Sequence, residues 1–470
     1  MLQEVIFNFR RNLMNKKINL AVAGAALALG ASAANAGIVI PAGDWTLDVN
    51  GNVNAFLNWN DADATSGTAP TGAIANAQDG LGESDSQGIN TGLLPSWLGF
   101  TGTTRQNNTD VSFTISFQPN ASDNSAAGDN KTPLNRQSYL SFGDKSWGSI
   151  KLGKDIGIFA SGAILNDMTL LGVGGAATGR SGGATTLGGI GTGYVYAAWK
   201  GQATYTTPNM GGFQAKIGLM NPNQIPDAST NSTTRTYGTI STLTGTTATL
   251  TGSLSAAGIA TSISTTVVSA GTIASATTDT DTTTGAANSA VNQDRFGVEA
   301  EASYSWTGDV AGKVWVSGAS YEVTRIQAGT SATQQEYDIE AFDIGASLSA
   351  GNFGLVGYWY DGEGLGTTLF GNNGVTSGGK ERDSDGGYVQ ATYVIPTGTK
   401  IGVAYGVSNL DTASGETNAT LVDENERWTV GAYHPLTKHL NLVAEYSKVE
   451  SEAHANLADL ETDIISVGAI

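Results

Sequence analysis

The side chains able to do chemistry are few, and their spacing argues against catalysis. Cysteine is absent, which removes thiol nucleophiles, thiolate metal sites and disulfide frameworks. The histidines are His434, His439 and His454. His434 and His439 flank what reads as a tight turn and could face each other, but two imidazoles without neighbouring carboxylates make a weak metal site. No Ser or Thr pairs with them as a nucleophile oriented by a base would have to. Gly172-Val173-Gly174-Gly175 and Gly188-Gly189-Ile190-Gly191 neither follow a strand nor open a helix. They are therefore not a nucleotide-binding fingerprint and read as flexible loop. The residues predict no enzyme, no cofactor and no metal.

What remains is charge at alternate positions in strand-like stretches. Arg105, Lys151, Lys216, Arg295, Glu299, Glu301, Lys400, Arg427 and Glu445 all fall on the polar side of such stretches. Asp155, Asp167 and Arg180 lie in or at the root of one connecting segment. Charge on the wall of a water-filled passage sets which ions enter. The plainer reading is that these groups solvate that wall or pair with one another.

The elements that must position them are strands. Phe296, Val298, Ala300, Ala302, Tyr304 and Trp306 alternate with Arg295, Gly297, Glu299, Glu301, Ser303 and Ser305. Val111, Phe113, Ile115 and Phe117 alternate with Ser112, Thr114, Ser116 and Gln118. That period of two predicts sheets with one apolar and one polar face. Sixteen strands are expected, at 45–59, 92–105, 109–118, 135–143, 148–155, 193–206, 211–220, 294–306, 312–324, 336–349, 352–362, 385–395, 398–408, 424–434, 438–450 and 459–470. Their links alternate between short (106–108, 144–147, 207–210, 435–437) and long (60–91, 156–192, 221–293, 363–384). Aromatics gather near strand ends, at Trp45, Trp59, Trp306, Trp359, Tyr393, Trp428 and Tyr446. An antiparallel transmembrane β-barrel has short turns at one end, long loops at the other and aromatic girdles at both interfaces. About sixteen strands also leave an aqueous hole rather than a side-chain-filled core.

Composition agrees. Charged residues are only 14%, Gly numbers 63 and no cysteine staples the chain. Arg10, Arg11, Lys16 and Lys17 precede an apolar run, 18–33, and Ala34-Asn35-Ala36 offers small cleavage-site residues. Residues 1–36 therefore read as a secretory signal, leaving a mature chain of 37–470. Losing those four bases and Glu4 takes the net charge from −19 to −22. Such acidity excludes nucleic acid as a partner. The segment 221–293, rich in Thr, Ser and Ala, reads as a surface loop.

Several stretches resemble the Gram-negative general porins. Arg136-Gln137-Ser138-Tyr139-Leu140-Ser141-Phe142-Gly143 with Trp147-Gly148-Ser149-Ile150-Lys151-Leu152-Gly153-Lys154 is similar to that family's fourth and fifth strands. Tyr205-Thr206-Thr207-Pro208-Asn209-Met210-Gly211-Gly212-Phe213 is similar to its next hairpin. Val430-Gly431-Ala432-Tyr433, Leu436-Thr437-Lys438-His439-Leu440 and Glu445-Tyr446 are similar to its penultimate one. The resemblance implies a homotrimer in the outer membrane, in contact with lipid and lipopolysaccharide. It implies passive diffusion of ions and small hydrophilic solutes, and a constriction loop folded inward at 156–192. Two features depart from the family: that loop has few carboxylates, and the chain ends Val467-Gly468-Ala469-Ile470 without a terminal aromatic. The alternatives are a substrate-selective channel and a surface adhesin using 221–293. The acidic balance, with a near-neutral eyelet, predicts a weak to moderate preference for cations.

Overall fold

The computed structural model describes residues 37–64, 70–75, 85–119, 121, 134–175, 185–221, 230–236, 280–286, 291–292, 295–327, 333–376, 378–418, 420–454 and 459–470. The expected signal at 1–36, Arg180 and most of 221–293 lie outside the described residues.

The first strands are β1 (Ile38–Ala42), β2 (Trp45–Asn52), β3 (Ala55–Ala64), β4 (Asp85–Asn90), β5 (Trp97–Gln106), β6 (Thr109–Gln118), β7 (Leu134–Asp144) and β8 (Gly148–Ile156). A short helix α1 (Ser161–Asn166) and a 3-10 turn (Met168–Leu171) follow, then β9 (Trp199–Thr206) and β10 (Phe213–Met220). Next come β11 (Thr230–Thr236), β12 (Thr280–Ala286), β13 (Val291–Asn292), β14 (Gly297–Trp306), β15 (Val310–Gln327), β16 (Thr333–Ala350) and β17 (Phe353–Glu363). The last are β18 (Asp383–Val394), β19 (Lys400–Leu410), β20 (Val422–Thr437), β21 (Leu440–Ala453) and β22 (Leu460–Ala469).

Every strand except β11 and β12, which pair with each other, joins one antiparallel sheet. Apart from β2 with β5, β10 with β14 and β13 with β15, pairing runs between neighbours in sequence, and β22 pairs with β3, from Leu460 opposite Ala64 to Ala469 opposite Ala55. β2 lies against β5 and β3 against β4, so 45–64 and 85–106 run side by side with one break in each. Asn54 fills that break: its N–H donates to Ser96 Oγ (3.0 Å), its Nδ2 to Leu94 O (2.8 Å), and its Oδ1 accepts Gly92 N–H (2.9 Å). Backbone leaving a ladder needs such substitute partners.

The short links have local causes. Gln106 pairs with Thr109 across Asn107 and Asn108, whose φ values are 50° and 62°. Two left-handed residues make the type I′ turn that matches strand twist, and Asn tolerates that region. Several expected boundaries shift, three of them for a local reason. The strand expected from 92 begins at Trp97, because 91–96 carries the break. The strand expected from 193 begins at Trp199, because 193–198 belongs to a segment leaving the sheet. The link expected at 435–437 moves to 438–439, since a bulge between Pro435 and Thr437 carries β20 onward.

Alternation sorts the two faces. Phe213, Ile217, Val314, Val316, Ile344, Leu355, Trp359, Val403, Trp428 and Val430 are exposed on one, which we call outward. Glu299, Trp315, Asp343, Tyr358, Tyr388, Arg427 and Glu445 are buried on the other, the enclosed face. Among the described residues no helix is long and apolar enough to cross a membrane. The main core lies on the enclosed face, where Phe159, Ile164, Tyr194 and Val195 pack against Trp315, Tyr321, Tyr358 and Tyr388.

Candidate functional site

Between β8 and β9 the chain leaves the sheet and crosses its enclosed face. Its backbone cannot use the strand ladder there, so each buried N–H needs another acceptor. Wall side chains supply them. Glu299 Oε2 accepts from Ile158 N–H (2.6 Å) and Phe159 N–H (3.0 Å), while its Oε1 meets the Lys200 ammonium and accepts the Tyr321 hydroxyl (2.7 Å). Asp343 Oδ2 accepts Ala160 N–H (3.0 Å) and the Tyr358 hydroxyl (3.2 Å). Gln390 accepts from Met168 N–H (2.8 Å) and donates to Asn166 O (2.7 Å). Glu445 Oε2 takes Val173 and Gly174 N–H at 2.8 Å each, and its Oε1 takes the Tyr433 hydroxyl (2.6 Å). Farther along, Ser408 Oγ accepts Gly193 N–H (2.9 Å).

One carboxylate holds the segment together from within. Asp167 Oδ1 accepts Thr169 N–H (2.8 Å), and its Oδ2 accepts the Tyr194 hydroxyl (2.7 Å) and Gly189 N–H (3.0 Å), with Arg427 Nη2 3.9 Å away. Burial, with the Asp167 charge beside it, pushes the Tyr194 hydroxyl well above its ordinary pKa and keeps it a donor. The glycine runs, expected to be flexible loop, are ordered where described. Gly188 N–H donates to Val173 O (3.0 Å) and Gly175 N–H to Gly188 O (2.8 Å). A Cβ on Gly172 would sit 1.9 Å from Glu445 Oε1, and one on Gly406 2.2 Å from Thr192 O. Glycine here is what lets segment and wall touch.

The sequence-predicted residues therefore fall into groups. Asp167 of the segment faces Arg427 of the wall beneath it, where Glu445 also holds the segment, and Glu299 lies under the segment's first turn. All four are buried, with Glu299 0% and Arg427 1% exposed, so the segment covers three groups, Glu299, Arg427 and Glu445, that alternation alone placed against open water. Period two fixes which face a side chain takes, not what then packs over it. Lys151 pairs with Asp155, which also accepts from Gln137 Nε2 (3.1 Å). Lys216 meets Glu301 at 3.3 Å. Lys400 lies over the Tyr433 ring, 4.7 Å from its centroid.

Two predicted residues sit at the ends of the sheet. Arg105 is half-exposed at the turn end, 2.7 Å from both Asp110 and Asp144. Arg295 lies before β14, exposed and 2.8 Å from Glu322. Sequence reasoning missed Asp343, Lys200, Lys313 and Gln390. For Asp343 and Lys313 the signal was present, since each alternates with outward Phe342 and Val314. Among the described residues no group of His, Cys, Asp and Glu could hold a metal ion. His434 Nδ1 instead contacts Thr399 Oγ1 (2.9 Å), and His454 lies 2.6 Å from Leu410 O.

With this geometry in hand, known proteins give context. The family model described as Gram-negative porin matches residues 21–454. Among solved structures, an anion-selective porin from Comamonas acidovorans aligns with a TM-score of 0.53 at 14% identity, covering 91% of this chain and 100% of that one. The outer membrane channel DcaP of Acinetobacter baumannii aligns with a TM-score of 0.54 at 12% identity, covering 90% of this chain and 97% of its own. At such identities the likeness is one of fold. No curated protein sequence matches the chain.

Proposed function

The chain belongs to the Gram-negative porin family and is an outer-membrane channel for passive diffusion of small solutes rather than an enzyme, and from that premise we propose how its parts serve the passage. The sheet closes into a single transmembrane barrel of sixteen staves. The pairing of β22 with β3 supports closure. The count follows from taking β2 with β3 and β4 with β5 as two interrupted staves, with β1 and β13 as side pieces and β11 and β12 apart. About that number of staves leaves room for water.

The segment expected at 156–192 is the constriction. The observation that carries this reading is its attachment, by five wall side chains on five different strands, to the enclosed polar face. In this scheme Glu299, Arg427, Glu445 and Asp167 position the constriction. Lys151, Asp155, Lys216, Glu301 and Lys400 belong to the wall beside it, and Arg105 and Arg295 to opposite rims. Residues 1–36 are an export signal, and 221–293 an external loop. The outward apolar face meets lipid, the acidic edge above it meets lipopolysaccharide, and three copies assemble as a homotrimer.

Planar-bilayer conductance with liposome uptake tests the reading. The purified protein should add stepwise conductance that does not saturate with salt, and uptake should slow as solutes grow. A folded, membrane-inserted protein that passes neither ions nor sugars would sink it. The mass of the detergent-solubilised particle tests the trimer separately.

A further inference from the structure

We propose that the channel prefers small anions over cations, and that Lys313 and Lys400 carry the preference. This rests on the diffusion reading above and names its solute class. The formal charge of −19 points the other way, so what decides is which charges reach the water of the passage.

The carboxylates of the enclosed face are largely withdrawn. Glu299, Asp343 and Glu445 are buried holding the inward segment. Asp155 and Glu301 side chains are 5% and 3% exposed, whereas Lys151, Lys216 and Lys313 are 23%, 25% and 33% exposed. The lysine side chain is the part of each pair that water meets.

Pairing then leaves an excess. Lys151 is matched by Asp155, and buried Lys200 by Glu299. Buried Arg427 faces Asp167. Lys216 and Lys313 share Glu301 alone, at 3.3 and 3.4 Å. Lys400 rests on the Tyr433 ring, with no carboxylate at ion-pair distance among the described residues. Lys313 and Lys400 are thus surplus cations. The described part of the inward segment offers no counterweight, because Asp167 is buried within it. Asp48 is a partly exposed carboxylate near the turn end of β2, accepting from Asn50 Nδ2 (3.2 Å), and Arg105 sits between two aspartates at that same end. There charges act through bulk water and are screened within about a Debye length of ~8 Å. Lys313 is two residues from Trp315, which a Cβ on Gly162 of the inward segment would meet at 2.4 Å, and Lys400 is two from Gly402, where a Cβ would lie 2.7 Å from Met168 Sδ. Beside that constriction, protein walls focus the field, so surplus ammonium groups enrich anions where passage is narrowest.

Reversal potentials under a KCl gradient test this on the full-length mature protein. Chloride should be favoured over potassium by about three-fold or more, and the double substitution Lys313→Gln with Lys400→Gln should bring the ratio to about one. Lys313→Gln leaves the Lys216–Glu301 pair intact, so no carboxylate is orphaned. Heat-modifiable migration checks the fold, and the two single variants, each shifting the ratio part of the way, stand in if the double variant misfolds. Potassium preference in the unsubstituted protein overturns the proposal and leaves the diffusion reading standing. Anion preference that survives both substitutions overturns the assignment to these lysines. A folded protein that conducts nothing overturns both readings together.

Discussion

Acidic residues on the two faces of the same strands live in opposite conditions. On the enclosed face Glu299, Asp343 and Glu445 are single, buried, and saturated by backbone N–H and hydroxyl donors. On the outward face they stand in rows toward the loop end. Glu340 faces Glu363 and Glu363 faces Asp383; Glu426 faces Glu450 and Glu450 faces Glu461. Among the described residues Lys448 alone interrupts the second row, 2.6 Å from Glu450 and 3.0 Å from Glu461. Aromatics lie beneath these rows and reach up to them: Tyr405 hydroxyl and Trp428 Nε1 donate to Glu426, and Tyr446 hydroxyl to Asp463. The difference teaches that net charge locates nothing. Much of the acidity decorates one rim, and three of the carboxylates facing inward act as fasteners for one segment.

If these inner acids are fasteners, removing the one that also neutralises a buried cation should do the greatest harm. Glu299→Ala leaves the Lys200 ammonium, 1% exposed, without its partner and strips acceptors from Ile158 and Phe159. A loss of about 3–5 kcal/mol is expected for an orphaned buried charge. It should appear as a lower temperature of heat-modifiable unfolding in detergent and as noisier channel current. Pairing it with Lys200→Met should recover part of the loss; no difference between single and double variants would break the fastener reading. Glu445→Gln is milder, since the amide oxygen still accepts, but weaker acceptance from Val173, Gly174 and Tyr433 should cost about 2 kcal/mol. Faster hydrogen exchange across 168–175, with strand protection unchanged, is the expected readout.

The long links contain a third arrangement, intermediate between the two. Arg382 grips Glu416 with two bonds, Nε to Oε2 at 2.8 Å and Nη2 to Oε1 at 2.5 Å, and also donates to Asn373 O (2.6 Å) and Val375 O (3.1 Å). The Arg382 guanidinium holds the Glu416 carboxyl down at about 2. A carboxyl lowered on folding stabilises fully above its ordinary value near 4.5, and that contribution fades as pH falls from there through about 2. Glu416→Gln should therefore loosen the loops by about 1–2 kcal/mol at neutral pH and match the unsubstituted protein near the bottom of that window. Exchange of the Ala413 amide, which donates to Glu416 Oε2, reports it. A pH-independent difference would show that shape, not charge, joins the loops.

Much of this plan was legible in the sequence, and what was not has a physical reason. Alternation in 294–306 put Glu299 and Glu301 on the polar face, and the run of short and long links anticipated the antiparallel order of the strands. The segment between β8 and β9 was legible in position only. Its course depends on acceptors contributed from β14, β16, β18, β19 and β21, hundreds of residues away, and nothing local in Ile158 or Gly174 announces them. The same is true of the glycine runs, whose role is closeness to Glu445 and Arg427 and not any motif of their own. Surplus charge was equally out of reach, because it depends on two lysines from β10 and β15 converging on one carboxylate of β14.

The smallest effect tests the outward side of the contrast. Like charges directly opposite across a ladder repel, by a few tenths to about 1 kcal/mol in exposed settings, and salt screens them. Glu363 has such a neighbour on each side, Glu340 and Asp383, and among the described residues no lysine or arginine bridges that row as Lys448 bridges the other. Glu363→Gln should then stabilise the protein slightly at low ionic strength, and the gain should disappear in molar salt. The same exchange at Glu450 should gain nothing or lose, because it removes a partner of Lys448. Thermal midpoints measured across a salt series separate the two. If both substitutions behave alike, the outer acids act as a diffuse field with no role for cross-strand register, and the distinction between rows and fasteners is one of burial alone.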